Sequence, residues 1–92
     1  MYEVRYKKSV SKDLKKIGKS ESKRILKAIK TRLAKDPRSE GIPLRGKLGV
    51  IWRYRIGNYR VLYSFNDNEL WVLVVHIAHR RDVYNKKKAF EP

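Results

Sequence analysis

Tyr2, Val4 and Tyr6 alternate with charged neighbours, the period-two pattern of a short, half-buried strand. The period then lengthens. Val10, Leu14 and Ile17 recur at helical spacing behind Ser9 and Ser11, either of which can cap a helix, and Gly18 ends it. A second helix opens at Ser20 or Ser22. Ile25, Leu26, Ile29 and Leu33 form its apolar stripe, and Lys23, Arg24, Lys27, Lys30 and Arg32 cover the rest. Asp36-Pro37 stops it, because the residue before a proline disfavours the helical region. The short polar link makes the two helices a hairpin.

Residues 37–49 hold Pro37, Gly41, Pro43, Gly46 and Gly49 and read as a loop. Three strands follow, at roughly 50–56, 59–66 and 69–77, joined by Gly57-Asn58 and Asp67-Asn68 as tight turns. The last strand, Leu70 to Ile77, is apolar on both faces, which suits a central position in the sheet. The tail from Arg81 to Pro92 is basic and patterned for one helical turn at most. Segregated helices and antiparallel strands predict an α+β fold spanning residues 1–92 as one domain. In it an N-terminal strand and a helical hairpin pack on a mainly antiparallel sheet, which ends in a three-stranded meander and a short C-terminal tail or helix.

The first turn fixes a register. A two-residue Gly-Asn loop pairs Ile56 with Tyr59, Arg55 with Arg60 and Arg53 with Leu62, and Gly57 suits the positive φ such turns need. Carried through a two-residue Asp67-Asn68 turn, the register pairs Tyr63 with Val72, Val61 with Val74 and Tyr59 with His76. One face then holds Tyr54, Val61, Tyr63, Phe65, Val72, Val74 and His76. Nothing on it is charged, so the helices are assigned there. The other face holds Arg53, Arg55, Arg60, Leu62, Ser64, Trp71, Leu73, Val75, Ile77 and His79. Its apolar half calls for cover by the tail or a partner.

Charge sharpens the picture. The 92 residues carry a formal net charge of +15, and no acidic residue lies between Glu40 and Asp67. Such an excess points to a nucleic acid or an acidic protein as partner. Arg55 and Arg60 stand directly opposite one another, which weakens a sheet unless an anion compensates them. The absence of cysteine excludes zinc-finger and disulfide frameworks. No run is long enough to cross a bilayer, and the N-terminus lacks a signal-peptide core, so the expected setting is the cytoplasm. Neither metal nor cofactor is expected.

Leu44-Arg45-Gly46, Trp52-Arg53-Tyr54-Arg55-Ile56, Gly57-Asn58-Tyr59-Arg60-Val61-Leu62-Tyr63 and His79-Arg80-Arg81-Asp82-Val83-Tyr84, taken in order, resemble the RelE branch of the RelE/ParE toxin superfamily. The resemblance spans nearly the whole chain. It implies the toxin of a type II toxin–antitoxin system, an mRNA interferase cutting message in the ribosomal A site and neutralised by an acidic RelB-type antitoxin. Position by position, the family's basic strand residues fall on Arg53 and Arg55 and its central arginine on Arg60. Its C-terminal arginine falls on Arg80 or Arg81 and its tyrosine on Tyr84; apart from the resemblance, Arg45 and Lys47, in the stretch without acidic residues, are expected as further RNA contacts. Well-known members carry lysines where this chain has Arg53 and Arg55.

Metal-free RNA cleavage uses the neighbouring 2′-hydroxyl as nucleophile. It needs a base, stabilisation of charge on the phosphorus centre and an acid for the leaving oxygen. Arginine's planar fork suits the second task and, never losing its charge, is a poor base. Tyr84 among guanidinium groups is the candidate base or stacking residue, with its phenolate favoured by the positive charge. The acid is left between His79 and an arginine, while His76 reads as a histidine at the core's edge. Two other functions compete: a ParE-like inhibitor of DNA gyrase and a non-catalytic basic RNA-binding protein. Trp71 reads as an antitoxin or tail contact, to be covered by an amphipathic antitoxin helix.

Overall fold

The computed structural model describes residues 1–46 and 49–82. A five-stranded sheet is ordered β1-β5-β4-β3-β2, from β1 (Glu3–Tyr6), β2 (Ile42–Gly46), β3 (Gly49–Ile56), β4 (Tyr59–Asn66) and β5 (Trp71–His79). Every neighbouring pair is antiparallel except β1 with β5. The predicted α+β class holds, with the helices between β1 and β2 in the chain. No described helix is long and apolar enough to cross a membrane.

Helix α1 (Val10–Ile17) ends at Gly18, whose φ of 101° belongs to the glycine-favouring region. Helix α2 (Lys19–Ala28) starts immediately afterwards, earlier than a Ser20 or Ser22 cap requires. Ser22 is buried inside it instead, and its hydroxyl donates to the Leu14 carbonyl at 3.0 Å, tying α2 to α1. A π-helical turn, Ile29–Leu33, continues α2, with the Ala34 amide donating to the Ile29 carbonyl. Asp36 ends this run and caps a short helix α3 (Pro37–Glu40), its side chain accepting from the Ser39 amide.

The helix pair covers one face of the sheet. Val10, Ile25, Ala28, Ile29 and Leu33 pack against Tyr54, Val61, Tyr63, Val72, Val74 and Ile77 in one core cluster. On the opposite face Leu62 and Ala78 gather Leu44, Ile51 and Val75 into a smaller cluster. β5 is an interior strand between β1 and β4, as its two-faced apolar sequence requires, while β4 holds the centre.

Three sequence expectations give way. First, the stretch read wholly as a loop contains α3 and strand β2, which pairs Ile42 with Arg53 and Leu44 with Ile51. Pro43 conceals it, yet a proline is tolerated here because β2 is an edge strand. Second, the turn after β4 runs from Asp67 to Leu70. The Asn66 side chain accepts the Asn68 and Glu69 amides, and Leu70 takes φ +57°. Third, β5 bulges opposite Leu62/Tyr63, so Tyr63 faces Val74, Val61 faces Ile77 and Tyr59 faces His79. Tyr63–Val72, Val61–Val74 and Tyr59–His76 are therefore not the pairs formed. Ile77 moves to the helix side as a result.

Candidate nucleic-acid interface

The first hairpin forms in the predicted register, with Ile56 facing Tyr59, Arg55 facing Arg60 and Arg53 facing Leu62. Gly57 takes φ +56° at the turn. Alternation puts Arg53, Arg55 and Arg60 on the face away from the helices. Arg60 also faces Ala78 of β5, and the Arg80 amide donates to the Asn58 carbonyl at 2.7 Å. Arg80 thus extends the β4–β5 ladder two residues past Ala78 and belongs to the same face. A row of arginines from three consecutive β-segments results: Arg55, Arg60 and Arg80.

Arg60 is half-buried and shaped by its own hairpin. Its Nη1 donates to the Gly57 carbonyl at 3.2 Å and the Tyr59 carbonyl at 3.0 Å, folding the guanidinium over the turn. Arg55 and Arg80 are exposed. Arg24, outside the apolar stripe of α2, lies under the same turn. A Cβ built on Gly57 would come within 2.9 Å of its Nη2. Glu21 holds Arg24 in a two-bond pair at 3.0 and 3.2 Å, and the hydrogen bond to that carboxylate raises the guanidinium pKa further. Helical spacing predicts the pair; its seat under the turn depends on how the helices dock.

The bulge takes His79 off the arginine face. His79 packs edge-on against Tyr59, with ring centroids 5.5 Å apart, on the helix side. Its Nδ1 accepts the Arg81 amide at 3.2 Å, so the ring proton sits on Nε2 and the histidine braces the turn that carries Arg80 and Arg81. It lines a cleft of about 150 Å³ with Asp13, Lys16, Tyr59, His76 and Asp82. His76 is buried at the core's edge, 3.0 Å from Asp13, as its sequence position suggests. Arg81 is exposed beside Arg80. Arg45 lies on β2 opposite Val50. Its side chain, like Lys47 and Tyr84, lies outside the described residues.

Other charges are engaged elsewhere. Arg38 pairs with Asp67, which also accepts Tyr2 Oη at 2.6 Å, and these contacts hold the Asp67 carboxyl below its usual range. Trp71 is half-buried, donates to Glu69 at 2.7 Å and lies under Arg5, 5.5 Å from its ring centre. Among the described residues no three histidine or carboxylate groups are grouped as metal ligands. Chemically, a row of permanently charged forks suits an anion with several oxygens, and it stabilises most where negative charge accumulates.

The chain matches the family model described as the ParE toxin of type II toxin–antitoxin systems, parDE, over residues 4–84. It is 29% identical over 85 residues to Toxin RelG of Mycobacterium tuberculosis, covering 92% of this chain and 98% of that one. Toxin RelE of the same organism is 29% identical over 83 residues, 90% and 86% of the two chains. Among solved structures, the toxin–antitoxin complex RelBE2 from Mycobacterium tuberculosis superposes with a TM-score of 0.79 at 29% identity, over 86% of this chain and 98% of that one. The intact RelBE complex of E. coli does so at 0.67 and 16% identity, over 86% and 96%, a likeness of fold alone. The chain belongs to this ParE toxin family of type II toxin–antitoxin systems and, within the RelE/ParE superfamily, is a RelE-type toxin.

Proposed function

We propose that this toxin is a metal-independent endoribonuclease that cuts message in the ribosomal A site and so stops translation. The observation that carries the reading is the opposition of Arg55 and Arg60 across the hairpin, lengthened by Arg80. Two guanidinium groups opposed across strands weaken a sheet, whereas a phosphodiester gains charge stabilisation from both. In this mechanism the 2′-hydroxyl attacks the adjacent phosphorus, and Arg60 and Arg80 take the charge that builds on the phosphoryl oxygens. Arg53 and Arg55, with Arg45 and Lys47, hold the flanking backbone. Tyr84 removes the 2′ proton or stacks on a base. His79 supports the Arg80-Arg81 turn, so an arginine hydrogen-bonds the departing 5′-oxygen, which takes its proton from solvent.

Arginine is a weak acid and a weaker base. An enzyme so equipped depends on the ribosome to pre-orient the message, which contributes much of the rate through proximity. Its antidote is an acidic RelB-type antitoxin that covers the arginines or displaces the tail bearing Tyr84. Solved RelE structures with RelB partners at 26–29% identity support such a pairing.

A second reading, the inhibition of DNA gyrase that a ParE-like toxin implies, is supported by the ParE name of the matching family alone. Reconstituted translation with message 3′-end mapping, run beside a gyrase supercoiling assay, separates the two. Cuts within codons on ribosomes, at least about 10²-fold slower on naked transcript, are the expected result. Intact message with blocked supercoiling establishes the second reading instead.

A further inference from the structure

β5 changes register partway along, and a side chain of α1 sits where it does so. Near the turn Tyr63 faces Val74 and Ser64 faces Leu73. Farther on Leu62 faces His76 and Arg60 faces Ala78, so Val75 is the extra residue. One extra residue reverses the alternation of everything after it. Continued without the bulge, the ladder would set Arg60 opposite Ile77 and bring Arg81, not Arg80, to the arginine face.

The backbone amides record the reversal. Val74 points its polar groups at β1, since its carbonyl accepts the Lys7 amide at 2.9 Å. Past the bulge the Arg80 amide points the other way, to Asn58 beside β4. Alternation then turns the Ile77 amide toward the β1 side, and β1 has ended at Tyr6, opposite Val74. Asp13 supplies the acceptor there. Its Oδ2 takes the Ile77 amide at 3.1 Å and lies 3.0 Å from His76 Nδ1, which carries the proton because a carboxylate only accepts. In the unbulged ladder the Ile77 amide would point at β4, and Asp13 would lose it.

We propose that Asp13 is a positioning residue that selects the bulged register of β5 and thereby assigns Arg80, rather than Arg81, to the row with Arg55 and Arg60. The consequence for catalysis rests on the cleavage reading above; the register assignment does not.

Cross-strand nuclear Overhauser effects in the full-length toxin test it. Wild type and Asp13→Asn, which keeps an acceptor oxygen for the Ile77 amide, should show Arg60 opposite Ala78. Asp13→Ala should show Arg60 opposite Ile77 and cut ribosome-bound message on the order of 10²-fold more slowly. Deleting Val75 in the Asp13→Ala background removes the extra residue, so it should restore the Arg60–Ala78 pairing and the cleavage rate. That variant also decides the matter if Asp13→Ala alone does not fold. Retention of Arg60–Ala78 pairing in Asp13→Ala overturns the proposal, as does failure of the Val75 deletion to restore it. If register follows these expectations while wild type cuts no message, the cleavage reading falls and the register claim stands.

Discussion

Arg60→Ala is expected to slow message cleavage on the ribosome by about 10²- to 10³-fold, the usual effect of removing one donor aimed at developing charge. The loss should fall on kcat. One of many cations is removed from a chain of net charge +15, so ribosome association and KM should stay within a few-fold of wild type. Arg60 carries this weight because its guanidinium is already fixed by the Gly57 and Tyr59 carbonyls, in the middle of the row between Arg55 and Arg80. Preorganised charge needs no rearrangement as the reaction proceeds. Arg60→Lys should rescue poorly, since an ammonium lacks the fork that can hold two carbonyls and still face a phosphate. Single-turnover rates with saturating toxin give the comparison. A variant that loses binding while cutting at the wild-type rate would reassign Arg60 to simple attraction.

Gly41→Ala should be the most damaging small substitution in the described fold. Gly41 lies in ordinary extended backbone, φ −122° and ψ −178°, so its value is space and not conformation. A methyl group there would overlap the Tyr63 hydroxyl and come within 2.7 Å of the Arg53 carbonyl oxygen. The hydroxyl cannot withdraw freely. It donates to the Pro37 carbonyl at 2.6 Å from a wholly buried ring, and burial pushes the phenol pKa well up. Overpacking of this kind costs about 1–3 kcal/mol. In a chain this size each kcal/mol lowers Tm by roughly 4–8 °C. Adding Tyr63→Phe should recover little, because the Arg53 carbonyl remains in the way and the Pro37 carbonyl loses its donor. Thermal unfolding by circular dichroism measures both variants, and a Tm within about 2 °C of wild type for Gly41→Ala contradicts the packing described.

The legible parts of this fold are those whose geometry is set within a few residues. Gly57-Asn58 forces its hairpin, and the Arg55–Arg60 opposition follows from turn length alone. The apolar stripes of α1 and α2 likewise point to the face they cover. What escaped depends on partners far away in sequence. β2 is a strand only because β3 pairs with it, and its Pro43 and flanking glycines speak locally for a loop. The Asp67–Leu70 turn rests on the Asn66 side chain and on an unusual φ at Leu70, which no dipeptide signal announces. The bulge in β5 coincides with contacts to Asp13, on a helix at the other end of the chain. An unbulged strand puts Ile77 and His79 on the arginine face, and local sequence does not distinguish Arg80 from Arg81. Arg24 is illegible for the same reason, since its seat under Gly57 exists only once helix and sheet have docked.

A row of guanidinium groups gripping a phosphodiester during 2′-hydroxyl attack leaves a chemical signature on the products. End-group analysis of message cut in a reconstituted translation reaction reads it directly. Upstream fragments should end in a 2′,3′-cyclic phosphate or its opened 3′-phosphate, downstream fragments should begin with a 5′-hydroxyl, and both should vanish when the scissile nucleotide is 2′-deoxy. Fragments with 5′-phosphate ends, or undiminished cutting of the deoxy substrate, would contradict the account.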